Sequence, residues 1–141
     1  MSEPIWVDVN DALAFHEDML AQFGGLPGVR DLGLLESALN RPRQLFVYGA
    51  PDLFEMAAAY AAGIVRNHPF LDGNKRAGFM AAALFLETNG ISFEAPEEEV
   101  VLQTLALAAG ELDERGYAKW LRATCPAPVR KKKRPAGKRA S

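Results

Sequence analysis

The sequence predicts an all-α protein: a compact, single-domain bundle of about six helices, with a polar loop between its two central helices. Three observations carry that expectation. Apolar residues recur at three- and four-residue spacing through most of the chain. Helix-stopping glycines, asparagines and prolines fall between those stretches. The strict alternation expected of a half-buried strand is almost absent. With 141 residues, 49% of them apolar, the chain is long enough for one buried core and too short for two comfortable ones.

Taken in order, the apolar residues Leu13, Phe15, Met19, Leu20 and Phe23 define a first helix from Val9 to Phe23, which Gly24 and Gly25 end. Asp31 caps a short second helix over 31–39, built on Leu34, Leu35, Ala38 and Leu39. Asn40 and Pro42 stop it, and 41–51 reads as a loop. Asp52 with Glu55 forms a capping pair that opens a helix through Met56, Tyr60, Ile64 and Val65 to Asn67. Pro69 disfavours helical geometry at His68, so the chain breaks there and restarts near Asn74. The restarted helix carries Phe79, Met80, Leu84, Phe85 and Leu86 and ends at Asn89 and Gly90. Residues 91–94 read as a short extended piece. Pro96 then starts a helix whose first turn holds Glu97, Glu98 and Glu99, where acids complement the dipole, and Gly110 closes it. A last helix over 113–124 places Tyr117, Trp120 and Leu121 on one face. Alanines over 57–62 and 81–83 predict that the two central helices pack closely, with the 68–73 loop between their adjoining ends.

Composition removes several function classes. No apolar stretch approaches the roughly 20 residues of a membrane span. The start, MSEPIWVDVN, lacks a basic region followed by an apolar one, so a cytoplasmic protein is expected. A single cysteine, Cys125, permits no internal disulfide and no cysteine metal cluster, and its place beside Pro126 argues against a catalytic thiol. The net charge of -2 hides an asymmetry: 130–139 holds seven basic residues and no acid. Removing those seven from the 16 basic residues leaves nine against 18 acids, so the body carries -9. The expected division is therefore a domain over 1–125 and a basic, disordered tail over 126–141. An acidic body is a poor generic nucleic-acid binder; the tail reads first as a solvated extension, second as a contact for nucleic acid or an acidic partner.

The segment HPFLDGNKRAGF gathers an imidazole, a carboxylate, a glycine turn and two cations at a helix start. Phosphoryl chemistry uses each of them. Backbone N–H groups of Gly73, Asn74 and Lys75 face outward from an unsatisfied first turn, forming an anion site that the helix dipole strengthens. Gly73 permits the positive φ such a turn needs. Asp72 offers the hard oxygen that Mg²⁺ takes when it bridges nucleotide phosphates. Arg76 can fork two phosphate oxygens and Lys75 adds a point charge. His68 is the side chain suited to take a proton from an attacking hydroxyl. Phe70 anchors the loop in the core. Each residue also has a bland reading, as loop histidine, Asp-Gly-Asn turn or solvated Lys-Arg face; their coincidence within nine positions favours the functional one.

These residues resemble the signature H-x-F-x-[DE]-[GA]-N-x-R of the Fic/Doc superfamily. The resemblance implies that His68 is the general base, Phe70 the buried anchor, Asp72 the Mg²⁺ ligand, and Gly73, Asn74 and Arg76 the phosphate cradle, so that His68, Asp72 and Arg76 form the catalytic set. Where AMP-transferring Fic proteins carry glycine and a further arginine, this chain has Lys75 and Phe79. Both departures resemble the Doc, or death-on-curing, branch, as do GGLPGVRDLGLLESALNRPRQLF and LFLETNG. That branch implies a toxin of a toxin-antitoxin pair: a kinase that moves the terminal phosphate of ATP, with Mg²⁺, to a hydroxyl of the translation factor EF-Tu and halts protein synthesis. Its inhibition would come in trans, from a helix of a Phd-like antitoxin, since no [ST]-x-x-x-E-[GN] pattern occurs here. Ala77-Gly78 replaces the Thr-Ala common in Doc sequences. The alternatives are a Fic-type nucleotidyltransferase that adds AMP to a protein hydroxyl, and a non-catalytic module acting through the basic tail. Among the remaining polar residues, Arg30, Asp31, Glu36 and Arg43 are expected to form an ion network, with Arg43 near the nucleotide as the second reading. His16 is expected on the surface, and Tyr48 in the 41–51 loop is a candidate for a target-holding flap.

Overall fold

The computed structural model describes residues 2–125, and the basic tail predicted over 126–141 lies outside them. Six helices follow one another: α1 (Val9–Phe23), α2 (Leu32–Tyr48), α3 (Leu53–Asn67), α4 (Asn74–Thr88), α5 (Glu97–Ala109) and α6 (Glu114–Thr124). No strand forms among the described residues beyond one isolated antiparallel bridge between Val29 and Phe70. Aspartates start four of these helices. Asp8, Asp31, Asp52 and Asp113 each accept an N–H of the first turn, and Asp8 and Asp52 complete reciprocal capping boxes with Asp11 and Glu55. Each such cap contributes about 1 kcal/mol.

The centre of the bundle is α3, buried on every side from Met56 to Val65. A helix apolar all round must be enclosed, and α2, α4, α5 and α6 enclose this one. Its alanines let neighbours come close. A Cβ added at Gly78 of α4 would stand 2.8 Å from Val65 Cγ1 and 3.0 Å from the Ala61 carbonyl oxygen. One added at Gly63 would stand 3.1 Å from Ala38 Cα of α2. Larger aromatic side chains also fill the core. Trp6 stacks on Phe85, Tyr60 lies against Phe85, and the Tyr60 hydroxyl accepts from the Val7 N–H at 2.9 Å. Burial pushes the Tyr60 and Tyr117 phenols up to about 12.

Two expected elements differ. The second helix does not stop at Asn40: α2 continues to Tyr48 with Pro42 inside it, replacing the loop over 41–51. Proline removes one helical hydrogen bond and crowds the carbonyl four residues back, a cost of about 3 kcal/mol in an exposed helix. Here Pro42 is fully buried, and the Ala38 backbone whose bond it removes packs against Gly63 of α3. Tertiary packing therefore outweighs the local signal. Tyr48 accordingly ends a helix and lines a cleft with Arg41, Gln44 and Leu45, apart from the 68–76 loop. Residues 91–94 are irregular, not extended in a strand. Ile91 N–H returns to the Leu86 carbonyl at 2.9 Å, and Phe93 packs its ring on Phe79 and Trp120.

Candidate active site

The loop between α3 and α4 is fixed from three sides. His68 ends α3 in the left-handed region, at φ 51 and ψ 55, the one non-glycine residue with positive φ among those described. Pro69 disfavours ordinary helical geometry at that position, the chain leaves α3 abruptly, and the His68 side chain is exposed. Gly73, at φ 75, makes the second left-handed step and starts α4. Between these two turns, Phe70 dives into the core at 1% exposure.

Asn74 holds the two turns together. Its Oδ1 accepts from the Phe70 N–H, its Nδ2 donates to the Phe70 carbonyl, both at 3.0 Å, and the same Nδ2 stands 3.4 Å from His68 Nδ1. At 6% exposure, its side chain is committed to the loop, so its contribution to an anion site is its backbone N–H. That contact sets the His68 imidazole beside the start of α4.

The start of α4 is chemically unlike the aspartate-capped helices. Gly73 supplies no side-chain cap, no acid lies in the first turn, and Lys75 and Arg76 do. The first helical bond runs from Ala77 N–H to the Gly73 carbonyl, which leaves the N–H groups of Asn74, Lys75 and Arg76 without helical acceptors. An open, positively charged helix start favours an anion.

Asp72 is exposed beside it. Its Oδ1 accepts from the Gly73 N–H at 2.9 Å and its Oδ2 from the Leu26 N–H at 3.0 Å. Each oxygen retains a lone pair. No group of three or more His, Cys, Asp or Glu side chains comes together among the described residues. One carboxylate fits Mg²⁺ as it binds in nucleotide sites, where phosphates and waters complete the octahedron. Arg76 is held by two neighbours: Nη2 pairs with Glu97 Oε2 of α5 at 2.7 Å, and the guanidinium carbon lies 4.1 Å from the centre of the Phe23 ring. Beyond it, Lys75, Phe79, Val100, Val101, Thr104 and Leu105 line a cavity of about 190 Å³.

Three contributors escaped the sequence reading. His16 is not a surface residue: it is 4% exposed, its ring lies parallel to Phe70 with centroids 3.8 Å apart, and Nε2 meets the Asp72 carbonyl at 2.9 Å. The signal was present, since Ala12, Phe15, His16 and Met19 form one buried stripe of α1. Among the described residues Arg30 belongs to no ion network. It donates from Nε to the His68 carbonyl and from Nη2 to the Asn67 carbonyl, while Asp31 caps α2 and Arg43 lies over Trp6. The ion pairs formed among the described residues are Arg41 with Glu114, Arg76 with Glu97 and Arg122 with Asp52. A carbonyl at a helix end is a better partner for Arg30 than a solvated acid, because it has no helical donor of its own. Glu97, the third, gave no signal beyond its place in an acidic first turn.

A helical bundle that presents an imidazole, a carboxylate and an uncapped basic helix start on one loop belongs to the class of proteins equipped to hold a phosphate-bearing ligand. Residues 6–86 match the model of the Fic/DOC family. "Protein kinase doc" of Escherichia phage P1 is 35% identical over 118 residues, covering 82% of this chain and 92% of that protein. "Toxin Doc" of Mycolicibacterium smegmatis (strain ATCC 700084 / mc(2)155) is 41% identical over 98 residues, 64% of this chain and 75% of that one. The chain belongs to the Fic/DOC family.

Proposed function

We propose that this chain is a Doc-type toxin: a cytoplasmic protein kinase that moves the terminal phosphate of ATP to a hydroxyl of an EF-Tu-like translation factor. The observation that carries the reading is the open start of α4, basic and uncapped, with His68 and Asp72 at its rim. The names of the two relatives, one a kinase and one a toxin, point the same way. The acceptor hydroxyl loses its proton to His68, its oxygen forms a bond to the terminal phosphorus, and the bond from that phosphorus to the bridging oxygen breaks, releasing ADP. The N–H groups of Asn74, Lys75 and Arg76, with the Lys75 and Arg76 side chains, neutralise the phosphate oxygens. Phe70 keeps the loop in register. Asp72 would hold Mg²⁺, which would supply positive charge against the nucleotide phosphates. No helix of the described residues is long and apolar enough to cross a membrane.

A Phd-like antitoxin is the expected partner. The apolar cavity wall of Phe79, Val100, Val101 and Leu105, beside two cations, suits an amphipathic helix that carries an acid. The test is to incubate the full chain with ATP, Mg²⁺ and EF-Tu and to read the intact mass of EF-Tu. A gain of one phosphoryl, lost in His68→Ala, supports the kinase. Transfer of a whole AMP group would replace it with nucleotidyl transfer. Growth arrest that survives His68→Ala and disappears on removal of residues 130–141 would replace both with a binding module.

A further inference from the structure

The strained backbone of His68 has an external restraint. The carbonyls of Asn67, His68 and Pro69 all point at the dipeptide Arg30-Asp31. Arg30 donates from Nη2 to Asn67 O at 2.8 Å, from Nε to His68 O at 2.7 Å and from its backbone N–H to Pro69 O at 2.7 Å, and Asp31 N–H donates to the same Pro69 oxygen at 3.0 Å. Three successive carbonyls of one loop are thus read by two residues almost forty positions earlier. The only such non-glycine left-handed residue among those described sits in the middle of the three. Left-handed backbone persists in a residue with a Cβ where its surroundings over-determine it, and a forked guanidinium bonding the carbonyls of the two peptide links that flank His68 fixes the orientation of both peptide planes. Lysine, with a single ammonium, has no such planar fork.

We propose that Arg30 is a positioning residue: its guanidinium locks His68 in the left-handed conformation and so aims the imidazole at the start of α4. It touches no reacting atom in this scheme. The inference rests on the reading of His68 as the base, and it is tested by two measurements of which one does not need activity. Arg30→Lys and Arg30→Gln are made in the full chain alongside His68→Ala. In steady-state phosphoryl transfer to EF-Tu, both Arg30 variants are expected to lower kcat by about ten- to a hundredfold, the cost of a misplaced catalytic group. KM for ATP stays within about twofold, since no phosphate contact is removed. An unchanged kcat, or a loss confined to KM, overturns the proposal.

The second measurement is the pair of Cα and Cβ chemical shifts of His68, which report left-handed backbone directly. The chain has two histidines, and His68→Ala assigns them. In the wild type the His68 carbons fall in the left-handed range and in both Arg30 variants they leave it, while those of buried His16 stay in place. Retention of the left-handed shifts in both variants overturns the proposal, whatever the activity. Should the wild type transfer no phosphoryl group, the kinase reading falls and the carbon shifts alone decide whether Arg30 restrains His68.

Discussion

The ion pair between Arg76 and Glu97 sets two properties of the chain against each other, and the substitution Glu97→Gln separates them. Arg76 is the proposed phosphate fork, yet its Nη2 is bound at 2.7 Å by a carboxylate of α5. A nucleotide phosphate must displace that carboxylate. The pair is partly exposed, 30% on the arginine and 62% on the glutamate, so screening holds its worth to about 0.2–1 kcal/mol. Releasing it should tighten nucleotide binding by the same amount, roughly 1.4- to 5-fold in Kd. Stability should move the other way. Glu97 stands in the first turn of α5, where its charge also complements the helix dipole, and losing both interactions should cost about 1 kcal/mol, or about 3 °C in Tm. Titration calorimetry with a non-hydrolysable ATP analogue and Mg²⁺ reads the first effect and a thermal melt the second. Glu98→Gln is the control, because it removes a charge from the same turn without freeing Arg76. An unchanged or weaker affinity in Glu97→Gln would mean that Glu97 orients Arg76 and does not compete for it.

Further predictions follow from the packing around the loop. His16→Ala should destabilise by about 2–3 kcal/mol, because it empties the space against Phe70 and removes the donor to the Asp72 carbonyl; a urea-denaturation loss below 1 kcal/mol would return His16 to the role of a bystander. Gly78→Ala gains about 1 kcal/mol of helix propensity but places a methyl 3.0 Å from the Ala61 carbonyl, which is backbone and cannot yield, so the net change should be a loss of about 1 kcal/mol; any stabilisation in the same assay would contradict the close α3–α4 approach. Tyr117, pushed up to about 12 by burial, stays neutral in the folded chain while the unfolded chain ionises near 10. Its contribution is thus complete below pH 10 and is lost as pH climbs through 12. Stability should fall across pH 10–12, less steeply in Tyr117→Phe, and parallel curves for the two proteins would refute the assignment.

What was legible in the residues was whatever local chemistry decides. The caps at Asp31 and Asp52, the stops at Gly24, Asn89 and Gly110, and the break before Pro69 all follow from hydrogen-bond needs within a few residues, and all fall where expected. The left-handed Gly73 was legible for the same reason. Pro42 misled because its penalty is local while the packing of Ala38 against Gly63 that overrides it is not. Arg30 and Glu97 were opaque because their partners lie 38 and 21 residues away, and neither carries a periodic signature. His16 lay between: its spacing with Ala12 and Met19 marks it as inward-facing, but only the fold puts Phe70 and Asp72 on the other side.

The contacts of the 24–31 segment with the 67–72 loop have a consequence for biosynthesis. Leu26 and Arg30 reach Asp72 and His68, and Gly28 accepts from the Leu71 N–H at 3.1 Å. His68, Phe70 and Asp72 of the signature therefore depend on chain that the ribosome delivers some forty positions earlier. A fragment beginning at Leu32 would keep the whole motif and lack the frame that shapes it, so such a fragment should be harmless to the cell that makes it. Supplying residues 1–31 as a separate peptide would show whether the frame can dock from outside.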